Sequence, residues 1–142
     1  PYQVYLAKSF GADAILIILS AVEKKLAKEI YDVANKLNIS SIVEVHTHEE
    51  AEFALNFTNS IIGINNRNLK TLKTDIKTTF NLYKILLDHH GPIICESGIK
   101  TEKDVKKILK KTKINNFLIG ESLLNDLNKN SSLLKRISKI TA

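Results

Sequence analysis

Short apolar runs alternate along the chain with longer stretches in which apolar residues return every three or four positions. The runs Ala14–Leu19, Ser41–His46, Ile61–Asn65, Ile93–Glu96 and Phe117–Ile119 have strand length and a β-branched character. Between them, Glu23–Leu37 repeats Leu26, Ile30, Val33 and Leu37, and Asp75–Leu87 repeats Ile76, Phe80, Leu82, Tyr83 and Leu86. Both spacings predict helices. Tyr2–Phe10 reads as an amphipathic helix stopped by Gly11, and His48–Phe57 as one with acids in its first turn. Thr101 is the expected N-cap of a helix reaching Lys111, with Asp104 closing a capping box. Glu121–Leu127 and Ser131–Ile140 complete the set.

Five strands, each followed by a helix, predict a parallel α/β sheet. The wholly apolar Ala14–Leu19 suits a strand covered on both faces. Two architectures satisfy the alternation: an open doubly wound sheet, or part of a (β/α)8 TIM barrel. No Gly-x-Gly-x-x-Gly follows a strand. The last two strands each end in a polar turn with glycine, Ser97-Gly98 and Gly120-Glu121, as in barrels that bind phosphate after their final strands. A whole barrel takes about 250 residues, so 142 residues amount to about five of its eight βα units, strands four to eight counted from the end. The expectation is one partial domain, residues 1–142, without the three N-terminal βα units. A chain that begins at proline and has no methionine fits that expectation.

Strand parity then selects candidate chemistry. Side chains alternate between faces, so with Val43 and Val45 toward the helices, Ile42, Glu44 and His46 point inward. By the same rule Gly63, Asn65, Ile94, Glu96, Leu118 and Gly120 point inward. Two carboxylates and an amide thus face one interior, where an unpaired charge is costly. The inward carboxylates imply a basic partner, a lysine, outside the chain. Arg67 sits just past a strand end, where its fork can take a phosphate or carboxylate. The turns Ser97-Gly98 and Gly120-Glu121 offer backbone N–H groups that an anion can approach closely. His46 and His48 form His-x-His, but no third ligand has suitable spacing, so no metal is expected.

Charge changes the picture little. The net charge of +6 is almost all lysine, spread over the predicted helices. The four Tyr and five Phe occupy mostly apolar positions rather than a stacking surface, which disfavours a non-catalytic basic domain that binds nucleic acid. No apolar run approaches the roughly 18 residues of a membrane span, and the start lacks a signal-peptide pattern. The single cysteine, Cys95, cannot form an internal disulfide, which fits a reducing, cytoplasmic location.

The stretches Pro1-Tyr2-Gln3-Val4-Tyr5, Gly11 through Leu16, Val43-Glu44-Val45-His46, Ile61 through Leu69, Glu96-Ser97-Gly98-Ile99 and Phe117 through Leu123 resemble, in order, the C-terminal part of the indole-3-glycerol phosphate synthase family. The run Gly63-Ile64-Asn65-Asn66-Arg67-Asn68-Leu69 is the most specific of them and argues against another phosphate-binding barrel such as phosphoribosylanthranilate isomerase. The resemblance implies a TIM barrel that closes the ring of 1-(2-carboxyphenylamino)-1-deoxyribulose 5-phosphate with loss of carbon dioxide and water, using no cofactor or metal. By motif, Glu44, Asn65 and Glu96 match catalytic positions. Arg67, Ser97, Gly98, Gly120 and Glu121 match the phosphate end, and Leu118 the wall for the aromatic ring. The family's lysine acid precedes the Pro-Tyr-Gln motif and has no counterpart here, so this chain alone is expected to be inactive. Some relatives are fused to another tryptophan-pathway enzyme, which makes such a partner an expectation.

Overall fold

The computed structural model describes residues 1–125 and 133–141. Five parallel strands, β1 (Ala14–Ile18), β2 (Ser40–Val45), β3 (Ile61–Asn65), β4 (Ile93–Glu96) and β5 (Asn116–Leu118), lie side by side in chain order. That order separates the two architectures. A doubly wound sheet reverses direction at a switch point, whereas a barrel wall sets each strand beside the last. The helices are α1 (Tyr2–Ser9), α2 (Lys24–Lys36), α3 (His48–Ala54), α4 (Lys77–Tyr83), α5 (Glu102–Lys111), α6 (Glu121–Leu124) and α7 (Leu133–Thr141).

The register makes the two faces explicit. Ile18, Glu44, Gly63 and Ile94 are aligned across four strands, and Asn65, Glu96 and Leu118 across three. Aligned residues point the same way, so these line the inner face. The other face carries Ile17, Val43, Val45, Ile62, Ile64 and Cys95, all fully buried under the helices. Ala27, Ala51, Ala54, Leu82, Val105 and Ile108 meet them from the helix side. The predicted parity holds for Glu44, Gly63, Asn65, Ile94, Glu96 and Leu118 on the inner face and for Val43, Val45, Ile62, Ile64 and Cys95 on the other.

The elements run close to their predicted spans, with instructive exceptions. β1 was expected to be covered on both faces, yet Leu16 is 51% exposed. It lies on β1, the end strand of the described sheet, on the same face as Ile18. The stripe expected on α1 is also open: Tyr2, Tyr5, Leu6 and Phe10 are exposed, and only Val4 is buried, against Ala34 and Ile39. α4 begins later than predicted because Asp75 and Ile76 form a preceding turn, in which the Asp75 carboxylate accepts from Lys77 N–H at 2.9 Å. A 3-10 turn, Leu86–Asp88, then replaces the helix's predicted end. α3 stops at Ala54 and α6 at Leu124. The predicted helix positions 126, 127, 131 and 132 lie outside the described residues.

The capping box at α5 is present: Asp104 N–H donates to Thr101 Oγ1 at 3.4 Å, and Thr101 N–H donates to Asp104 Oδ2 at 2.9 Å. It sets the end of α5 that follows the Ser97-Gly98 turn, while Val105 and Ile108 fix the helix to the core. Thr101→Ala removes one half of the box. It is expected to cost about 1 kcal/mol of stability, read as a lower urea midpoint at an unchanged slope.

Candidate active site

Three polar side chains form a row on the inner face: Glu44 on β2, Asn65 on β3 and Glu96 on β4, at 5%, 9% and 4% exposure. Each sits at or next to the C-terminal end of its strand, where barrel chemistry is placed. Gly63 is aligned with Glu44 and lies two residues before Asn65 on β3. A Cβ there would collide with the Glu96 carboxylate, so the missing side chain is what lets Glu96 lie over β3.

The two carboxylates do not share one protonation state. Burial pushes Glu96 up to about 7, and the negative charge of Glu44 adds to that. Burial also acts to raise Glu44, but contacts with His46, Asn65 and Glu96 outweigh it and hold Glu44 below its ordinary value. The result is one ionised and one readily protonated carboxyl side by side, an acid and a base at neutral pH.

His46 corrects the expectation that the inward carboxylates have no basic partner in this chain. Its Nε2 lies 3.2 Å from Glu44 Oε1 and its Nδ1 lies 3.5 Å from Glu50 Oε2. The turn from β2 into α3 fixes this. Thr47 caps α3 by accepting from Glu50 N–H, and the Glu50 carboxylate accepts the His46 N–H at 2.6 Å. The contact with Glu44 raises the His46 pKa, against the opposing effect of burial. Sequence reading had considered this histidine only as a metal ligand. Its inward parity beside Glu44 was the signal for the ion pair. Among the described residues no three His, Cys, Asp or Glu side chains gather as a metal site.

The phosphate-end candidates converge on a groove of about 1210 Å³ beyond β4 and β5. Arg67, Ser97, Gly98, Gly120 and Glu121 line it, with Leu118 at the side facing the carboxylate row. Arg136, on α7, lines it too and was not singled out from the sequence, since only the fold returns α7 to this groove. Asn65 Oδ1 accepts the Arg67 N–H at 2.9 Å, tying the polar row to the groove. One detail departs from expectation: Glu121 was read as a backbone donor, yet its carboxylate pairs with Arg67 at 2.8 Å. Both groups are accessible enough that such a pair contributes little stability and can be exchanged for a ligand anion.

Asn66 was missed altogether. It continues the outward parity of Ile62 and Ile64, and a polar group aimed at a core must find partners there. Those partners are Thr79, Cys95 and the carbonyls of Glu96 and Ser97. Cys95 is fully buried, and burial raises its pKa.

Parallel strands in chain order, two buried carboxylates on their inner face and a polar groove past the last strands mark the chain as part of a βα-barrel protein. The chain belongs to the indole-3-glycerol phosphate synthase family, whose sequence model matches residues 1–135. It is 42% identical over 139 residues to the indole-3-glycerol phosphate synthase of Clostridium kluyveri, covering 98% of this chain and 52% of that protein. It is 43% identical over 128 residues to the tryptophan biosynthesis protein TrpCF of Buchnera aphidicola, covering 90% of this chain and 28% of that one. The chain thus spans about half the length of the synthases it matches. In fold it is similar to a chain of the tryptophan synthase complex of Pyrococcus furiosus, with a TM-score of 0.65 at 17% identity over 99% of this chain and 56% of that one. The fold class is that of a TIM barrel, represented here by five parallel strands.

Two outcomes follow. Glu96 and His46 both hold a proton to higher pH folded than unfolded. The folded state therefore binds more protons, and stability falls as pH rises. For Glu96 the fall lies between its ordinary 4.5 and about 7. Melting temperatures across that window are expected to decline in the wild type and much less in Glu96→Gln. Gly63→Ala is expected to cost about 1–3 kcal/mol by overpacking, in a denaturant titration, because the new methyl displaces the Glu96 carboxylate.

Proposed function

We propose that this chain provides the C-terminal βα units, strands four to eight, of an indole-3-glycerol phosphate synthase, with residues 1–142 forming one part of a barrel domain. The reaction is the conversion of 1-(2-carboxyphenylamino)-1-deoxyribulose 5-phosphate to indole-3-glycerol phosphate, carbon dioxide and water. The observation that carries this reading is the buried Glu44–Asn65–Glu96 row joined through Arg67 to the anion groove.

The roles follow from the geometry. The groove takes the substrate phosphate, with Arg67 exchanging Glu121 for it and the Ser97-Gly98 and Gly120-Glu121 turns supplying backbone N–H groups. Leu118, 61% exposed beside Glu96 in register, is the apolar wall for the aromatic ring. Asn65 orients the sugar chain between the two ends. Glu96 starts protonated and gives a proton to a departing hydroxyl, while ionised Glu44 accepts one as the ring becomes aromatic. None of the five strands contains a lysine, which supports assigning the cationic acid for ring closure to the part of the longer relatives that this chain does not match. No cofactor is assigned. No helix among the described residues is long and apolar enough to cross a membrane, and a cytoplasmic location is part of the proposal. The likeness to TrpCF supports a partner among the tryptophan-pathway enzymes, fused or associated.

The test is turnover. The purified chain receives the substrate alone, and then together with the N-terminal half of the Clostridium kluyveri relative. Indole fluorescence is expected only in the second case, and Glu44→Gln is expected to lower that rate by about 100-fold or more. Fluorescence from the chain alone would overturn the need for an outside acid. Silence from the combined, folded halves would overturn the function itself.

A further inference from the structure

The Ser97-Gly98 turn has an unusual backbone. Ser97 has φ +62 and Gly98 φ +72, two successive left-handed residues. Glycine adopts that region freely, but serine does so at a cost and stays there only when its surroundings enforce it. Asn66 is the surrounding that does so. It is 2% exposed. Its Nδ2 donates to the carbonyl of Glu96 at 3.0 Å and to that of Ser97 at 3.1 Å. Its own backbone N–H donates to the Glu96 carbonyl at 2.9 Å. On its other side, Oδ1 accepts from Thr79 N–H at 3.0 Å and Thr79 Oγ1 at 2.9 Å, which anchors the amide to α4.

Peptide planarity turns these bonds into an aiming device. In a trans peptide the C=O and the following N–H point in opposite directions. Drawing the Glu96 carbonyl to Asn66 sends the Ser97 N–H away from it, and that group meets Leu118 O on β5 at 3.4 Å. Drawing the Ser97 carbonyl to Asn66 sends the Gly98 N–H away too, on the side of the groove that Ser97 and Gly98 line. Among the described residues no acceptor takes that N–H. We propose that Asn66 is a positioning residue, holding Ser97 and Gly98 left-handed through the carbonyls of Glu96 and Ser97 so that the Gly98 N–H is presented to a bound phosphate. This rests on the reading of the groove as the phosphate site. Asn66 does not line the groove itself, and it acts through the turn.

Three substitutions separate positioning from mere support. Thr79→Val cuts the hydroxyl bond that anchors Asn66 and leaves its bonds to the turn. Asn66→Asp keeps acceptors for Thr79 but loses the side-chain donor to the two carbonyls, leaving only the backbone N–H on that of Glu96. Ser97→Gly, added to Asn66→Asp, removes the cost of the left-handed backbone. In the labelled chain, the Ser97 φ is read from its three-bond HN–Hα coupling, and inorganic phosphate is titrated against the Gly98 amide shift. Asn66→Asp is expected to move Ser97 out of the left-handed region and weaken phosphate by about tenfold or more. Thr79→Val is expected to lower the melting temperature while leaving both readouts near wild type. The double variant is expected to recover phosphate affinity. Equal effects of Asn66→Asp and Thr79→Val, or an unchanged Ser97 φ in Asn66→Asp, would overturn the proposal. Should the wild-type chain bind no phosphate, the groove reading fails, and the φ measurement alone then decides whether Asn66 positions the turn.

Discussion

Two carboxylates buried on one face of a sheet cannot both carry full charge, and the structure is arranged around that constraint. Glu44 receives an imidazole, an amide and a neighbouring carboxyl, and stays ionised. Glu96 receives little beyond burial and its negative neighbour, and takes up a proton near neutrality. Gly63 makes room for the pair, and the cap of α3 holds His46 against it through Glu50. What looks like a polar defect in an apolar wall is a division of labour between two like groups, produced by their unlike surroundings.

The same strand ends link this pair to the groove. Asn65 faces inward toward the carboxylates, and its side chain fixes the Arg67 backbone. The adjacent Asn66 faces outward and fixes the Ser97-Gly98 turn. Successive residues of an extended strand thus address opposite faces, one serving the chemical end and the other the anion end. A shift of β3 by one residue would exchange these duties and strand both amides.

Much of this was legible in the sequence. The alternation of strands and helices gave the sheet, and parity put Glu44, Asn65 and Glu96 on one face because apolar neighbours claimed the other. What escaped depended on three-dimensional proximity that no period encodes. His46 finds Glu50 across a turn, Glu121 finds Arg67 across 54 positions of sequence, and Arg136 reaches the groove only through the fold. Asn66 could have been found by asking where an amide with outward parity would be satisfied. The exposure of Leu16 and of the α1 aromatics could not, since apolar character says what a residue prefers to meet and not whether a partner is there.

The order of the strands has a further consequence. Among the described strands, β2, β3 and β4 have a hydrogen-bonded neighbour on each side. The polar row is carried entirely by the three flanked strands. Exposing the row therefore means breaking ladders on both sides of a strand, which places Glu44, Asn65 and Glu96 at the high-stability end of local opening. The amides beneath the acid–base pair are thus expected to exchange slowly with solvent, which ties the lifetime of the site's geometry to the lifetime of the sheet.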